Sequence, residues 1–362
     1  MVARLVGVEE ELLLVDRVHG APISVAASVI ALGRKRGDDL NSELQRQQVE
    51  IGTRPCASLD GLAEQVRETR SRAASAAQAF GAEVAALATS PVPVRPSLTP
   101  STRFRQMSTA YALTADEQLT CGCHVHVDVT SPEEGVGVLD RIRPWLPILL
   151  ALSANSPFWQ GIDTGYASWR QQVWGRWPSS GPTELFSTAQ QYQGDVAALV
   201  GTAVLLDEGM IYFDARLSRH YPTVEIRVAD VCLHADDTVL LAALVRALVD
   251  TAARAWQAGE PPDPVRTDLL RLAMWRASRS GLHDDLVHPL TWRPAPAADV
   301  VNALLAHLAP ALDAAGDLTR TRDLLRKLLL RGNGSQLQRA AYETHCRMSD
   351  VVADAVSRTL AT

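Results

Sequence analysis

Gly7-Val8-Glu9-Glu10-Glu11-Leu12-Leu13-Leu14 reads as a β-strand, and its alternation sets the chemistry of one sheet face. Glu9 and Glu11 fall on one side, with Val8, Glu10 and Leu12 on the other. Two unit charges about 4 Å apart repel by roughly 4 kcal/mol at an effective dielectric near 20, so such a pair needs solvent or a cation. Three further segments favour the cation. In Gln45 to Gly52, Val49 and Ile51 face one way while Gln48 and Glu50 face the other. Cys121 to Val129 alternates strictly, placing His124, His126 and Asp128 opposite Cys123, Val125 and Val127. Thr223 to Asp230 repeats the scheme with Glu225 and Arg227. An ordinary half-buried strand exposes Thr, Lys or Ser, whereas these four offer Glu, His and Arg, the groups that bind metals and phosphates. Glu10, on the opposite face, reads as a structural or surface charge.

The 362 residues are 47% hydrophobic and 21% charged, which suits a globular chain with a sizeable core. A net charge of -6, with arginines scattered along the chain, argues against nucleic acid and for a small-molecule partner. The first residues lack the basic region, apolar run and cleavage site of a signal peptide, so a cytoplasmic protein is expected. Val239 to Trp256 is the most apolar long stretch, but Arg246, Asp250 and Arg254 interrupt it, which fits a buried helix and not a membrane span. Five cysteines without a CxxC pair read as reduced thiols.

Ser58 is placed to cap a long Ala-rich helix from about 59 to 88, followed by a Pro-rich loop over 89–100. A short helix from Ser101, the His-rich strand and a helical region over 132–152 come next. Asn155 to Pro182 carries Trp159, Trp169, Trp174 and Trp177 among Gly, Pro, Arg170 and Arg176, and reads either as a lid or binding loop or as a loop pinned to the core by aromatic rings. From Asp236, read as an N-cap, the chain is helical to its end except near 259–264 and 289–296, where Pro intervenes. Strands and helices do not alternate strictly. The expected fold is therefore α+β, a mainly antiparallel sheet with helices on one face and the site on the open face, in one catalytic domain over 1–362 whose region from about 236 is helical.

The four strand motifs resemble the glutamate–cysteine ligase type 2 family, carboxylate–amine ligases related to glutamine synthetase, from Val6 into the helical C-terminal region. The resemblance implies a curved antiparallel sheet holding ATP and Mg²⁺ or Mn²⁺. It also implies transfer of the γ-phosphoryl to a carboxylate and displacement of phosphate by an amine. Matched motif by motif, Glu9, Glu11, Glu50, His124 and Glu225 are the implied metal ligands, with Glu43 a further one. His126 is implied to lie near nucleotide phosphate or substrate, Arg227 to meet the transferring phosphoryl group, and Arg216 to meet a substrate carboxylate or phosphate. The implied substrates are glutamate or a similar carboxylate and an amine such as cysteine, and a homodimer is compatible with the family.

A donor set of carboxylates with one or two imidazoles suits Mg²⁺ or Mn²⁺ better than Zn²⁺. Two other readings are open. His124-Val125-His126-Val127-Asp128 matches the HxHxD run of metal-dependent hydrolases, although the remaining histidines supply no second HxH or HExxH. A non-catalytic relative that binds an amino acid or nucleotide is the other.

Overall fold

The computed structural model describes residues 3–361, and the acidic segment is the central strand of its main sheet. In chain order the strands are β1 (Val6–Asp16), β2 (Leu40–Ser42), β3 (Gln48–Gly52), β4 (Ala82–Ala85), β5 (Gly122–Asp128), β6 (Phe158–Trp159) and β7 (Ile162–Asp163). They continue with β8 (Ala215–Leu217), β9 (Thr223–Asp230), β10 (Asp285–Val287) and β11 (Pro294–Pro296). The main sheet runs β2-β3-β1-β5-β9-β8, with β4 joining the far end of β1, and all its pairings are antiparallel.

The apolar side of the alternation builds the core. Val6, Val8, Val125, Val127, Val224 and Ile226 are all at most 2% exposed and pack in one cluster with helix Ala235–Gln257. That helix begins one residue before the expected cap. His234 is the N-cap residue and makes no side-chain cap bond, so Asp236 and Asp237 sit in the first turn, where their charge complements the helix dipole.

Helix Leu59–Gln78 is capped by Ser58 as expected, with Gly61 N–H donating to Ser58 Oγ at 3.2 Å, but it stops ten residues short of Ala88. Gly81 takes φ of 72°, and Ala82–Ala85 then becomes β4. The physical reason lies in β1, whose pairing with β5 along one edge ends at Glu10 opposite Cys123. Beyond that point its backbone needs another partner, which β4 supplies from Leu13 to Asp16. The high helix propensity of alanine conceals that strand in the sequence.

Two other expectations are refined. The Pro-rich interruption near 289–296 is part of a small β10–β11 hairpin, and the tryptophan-rich segment contains the β6–β7 hairpin and helix Trp169–Trp174. No helix among the described residues is long and apolar enough to cross a membrane.

Glu10 is structural. Its carboxylate takes Arg70 Nη2 at 2.6 Å, Arg70 Nε at 2.8 Å and Thr238 Oγ1 at 2.6 Å, while Arg70 also donates to the carbonyls of Cys232, Leu233 and Thr359. Arg70 is 1% exposed, so this pair ties β1, helix Leu59–Gln78 and the C-terminal helix Met348–Thr359 together without water. Removing one partner of such a pair strands a buried charge. Arg70→Leu is expected to lower unfolding stability in urea by about 3–5 kcal/mol. A loss under about 1 kcal/mol would show that Glu10 finds other partners or accepts a proton without cost.

Candidate active site

Cross-strand register assembles the polar residues into a band. Glu50 on β3 lies directly opposite Glu11 on β1, Glu9 lies opposite His124 on β5, and His126 lies opposite Glu225 on β9, which in turn faces Arg216 on β8. Two clusters result, Glu9–His124–Glu225 and Glu11–Glu43–Glu50, in each of which one oxygen or nitrogen per residue lies within 4.8 Å of the others. All six residues predicted as metal ligands are thus brought together, including Glu43, which the β2–β3 connection delivers.

The site lies on the sheet face turned away from the helical core, as expected, and that face is walled. Helix Thr102–Tyr111, helix Trp169–Trp174 and the segment around Gly209 to Tyr221 contribute walls, leaving a cavity of about 350 Å³. Its lining includes the six residues of the two clusters, His126, Arg216 and Arg227, together with Arg103, Phe104, Trp174 and Tyr212 from those walls. The four wall residues carry no strand alternation in the sequence, so only the folded chain reveals them. Trp174 and Trp177 both line the cavity, and Trp177, 2% exposed, also belongs to the core cluster, so the tryptophan segment both anchors and lines the site.

Charge is distributed unevenly. Burial, then the charges of Glu11 and Glu50, raise the carboxyl of Glu43 well above the usual range. Burial, then Glu9 and Glu11, push Glu50 up to about 8, so this pair holds a proton when no cation is present. The first cluster behaves oppositely. Burial would raise Glu9, but the imidazoles of His124 and His126, 3.6 and 3.4 Å away, outweigh it and hold Glu9 low. Glu225 is likewise held low, since Arg227 and Arg216 together outweigh its burial. Burial and the neighbouring Arg227 lower His124, which keeps its imidazole neutral and available as a ligand.

The arginines both meet Glu225. Arg216 donates through Nε at 2.8 Å and Nη2 at 3.2 Å, and Arg227 donates through Nη1 to the same carboxylate. His126 shares a hydrogen bond of 3.0 Å between Nδ1 and Thr223 Oγ1. Asp128, the third member of the HxHxD run, lies outside this cavity and lines a separate cleft with Arg4 and Asp250. The hydrolase arrangement is therefore not formed.

The glutamate–cysteine ligase family 2 model matches residues 5–356. The chain belongs to that family. It is 53% identical over 361 residues to a Streptomyces coelicolor protein provisionally named glutamate–cysteine ligase 2, covering 99% of both chains. It is 50% identical over 364 residues to a Paenarthrobacter aurescens protein provisionally named glutamate–cysteine ligase 2-1, covering 98% of this chain and 95% of the other. The fold matches the glutamate–cysteine ligase of Francisella tularensis, solved in complex with AMP, with a TM-score of 0.70 at 12% identity over 100% of this chain and 90% of that one. It also matches a bifunctional glutathione synthetase from Pasteurella multocida, with a TM-score of 0.67 at 14% identity over 99% of this chain and 53% of that one. As a glutamate–cysteine ligase family member the chain is a ligase that forms C–N bonds between a carboxylate and an amine.

Because Glu50 is raised in the folded protein above its ordinary 4.5, the folded state holds the extra proton between about pH 4.5 and 8. The contribution of Glu50 to the stability of the metal-free protein is therefore full below that window and is lost as pH rises through it. Glu50→Gln should flatten this decline and stabilise the metal-free protein at about pH 8 by roughly 1–2 kcal/mol. Denaturant titrations at about pH 5, 6.5 and 8 check this, and a parallel decline in wild type and variant would assign the pH dependence elsewhere.

Proposed function

We propose that this ligase uses ATP to activate glutamate or a similar carboxylate and joins it to an amine such as cysteine, with 1–362 acting as one catalytic domain. The observation that carries the reading is the pair of three-residue clusters side by side on one sheet face with Arg227 at their edge. Five carboxylates and a neutral imidazole fit Mg²⁺ or Mn²⁺, and the proton held by Glu43 and Glu50 is what a divalent cation would displace. Glu9, His124 and Glu225 would hold one ion and Glu11, Glu43 and Glu50 another. Bound ions would neutralise the charge of the triphosphate.

In the reaction a carboxylate oxygen of the first substrate attacks the γ-phosphorus, and the bond to the ADP oxygen breaks. The amine nitrogen then attacks the acyl carbon, phosphate leaves with its bonding electrons, and the nitrogen loses a proton. The protein's part is to position these groups and to offset charge. Arg227, paired to Glu225, can turn its remaining donors to the phosphoryl oxygens. Arg216 is bidentate to Glu225, so we assign it to holding that ligand and not to direct substrate contact. His126, anchored by Thr223 beside Glu9, is assigned to the nucleotide phosphate.

The test is isotopic. With Mg-ATP, ¹⁸O-carboxylate glutamate and a panel of amines, the reading expects ADP, amide product and phosphate carrying one label from the carboxylate. Release of AMP and pyrophosphate, or unlabelled phosphate, would overturn the acyl-phosphate route. Arg227→Lys is expected to lower kcat at least about tenfold, some 1.4 kcal/mol, with little change in KM for ATP. Unchanged kcat with a drop in thermal stability would identify Arg227 as a structural ion-pair partner.

A further inference from the structure

The pairing of β5 with β9 slips by one residue at the site. Cys123 faces Ala229 and Val125 faces Ile226, leaving both Arg227 and Val228 opposite His124. Such a bulge re-aims the side chains around it. Arg170 braces the slip, donating Nη2 to the carbonyl of Arg227 and Nη1 to that of Val228, each at 3.4 Å. Its path runs over Gly122, where a Cβ would lie 2.4 Å from Arg170 Nη2.

The helix that carries Arg170 is fastened to β9. Ser156 Oγ and Ser168 Oγ donate to Asp230 at 2.7 and 2.8 Å, and the Arg170 backbone N–H donates to Ser156 Oγ at 3.0 Å. One helical turn after Arg170 comes Trp174, on the same helix face. Its ring centroid lies 5.7 Å from the guanidinium carbon of Arg170 and 5.9 Å from that of Arg227. The Nε atoms of both arginines are buried without a hydrogen-bond partner. The electron-rich ring thus adds to the Glu225 carboxylate at Arg227 and to the backbone carbonyls at Arg170 in compensating two desolvated guanidiniums.

We propose that Trp174, carried beside Arg227 by the braced helix, is the positioning residue for the phosphoryl-contacting arginine. This rests on the role given to Arg227 above. A carboxylate or carbonyl at this place would hold the guanidinium in one direction. The ring attracts the charge without a directional bond, so Arg227 keeps free donors and a restricted path between Glu225 and the phosphoryl group. Trp174 touches no reacting atom in this role; it acts through Arg227.

The experiment uses full-length Trp174→Ala and Trp174→Phe in wild-type and Arg227→Lys backgrounds. In the wild-type background Trp174→Ala should lower kcat at least about tenfold with KM for ATP changed less than about threefold, and Trp174→Phe should restore most of the loss. In the Arg227→Lys background Trp174→Ala should add less than about a further twofold, because both changes remove one device. A full multiplicative loss there, or an effect confined to KM for the amine, would make Trp174 a pocket wall and overturn the proposal. A second readout needs no turnover: the side-chain Nε–H NMR signal of Arg227 in the nucleotide-free protein should shift and exchange faster with water in Trp174→Ala. An unmoved signal would overturn the proposal, whereas wild type inactive with every amine but with the NMR shift present would overturn the reaction and leave the Trp174–Arg227 contact standing.

Discussion

The antiparallel register about β1 is the constraint on which the site depends. Because Glu11 meets Glu50 and Glu9 meets His124 across directly paired positions, carboxylates from distant parts of the chain arrive within ligand distance without any local motif joining them. A slip of one residue would turn Glu9 and Glu11 into the apolar core and bring Glu10 to the cavity. The register is guarded by Val6, Val8 and the facing valines of β5, and by Glu10, whose partner Arg70 is available on the core side alone.

Crowding like charges on one face costs stability, and the two clusters meet that cost differently. At Glu43 and Glu50 a retained proton relieves the repulsion, which leaves the cluster ready to exchange it for a cation. At Glu225 two arginines relieve it, and Glu9 lies beside the imidazoles of His124 and His126, so these carboxylates are held low. Protonation and ion pairing thus divide the face into an acid-holding half and a charge-paired half. That division suits the proposed site, in which metals and an arginine would act on one triphosphate.

Period-two alternation made the site legible in the sequence because the functional residues lie on strands, where side-chain direction follows from position. Glu9, Glu11, Glu50, His124, Glu225 and Arg227 could be assigned to one face on that basis, and Glu10 to the other. Alternation says nothing about neighbouring strands, and the family resemblance supplied the link among the four segments. Glu43 lies beyond β2 and was reached through that resemblance alone. The roof was not legible. Arg103, Trp174 and Tyr212 lie on short helices and connections, where no period predicts which side chain turns inward. Strand β4 was hidden because alanine favours helix, and only the unpaired end of β1 forces the chain straight. The partner of Glu10 was equally invisible, since Arg70 sits on a helix whose spacing does not distinguish it from its half-buried neighbour Arg67 and its exposed neighbour Arg72.

Counting divalent ions tests this account most directly. Mn²⁺ titration followed by electron paramagnetic resonance, with a non-hydrolysable ATP analogue present, should give two ions per chain close enough to couple. Glu50→Gln should weaken one of them and Glu225→Gln the other. Fewer than two ions in the wild-type protein, or the same ion lost in both variants, would contradict the claim that the register of β1 builds two adjacent metal centres.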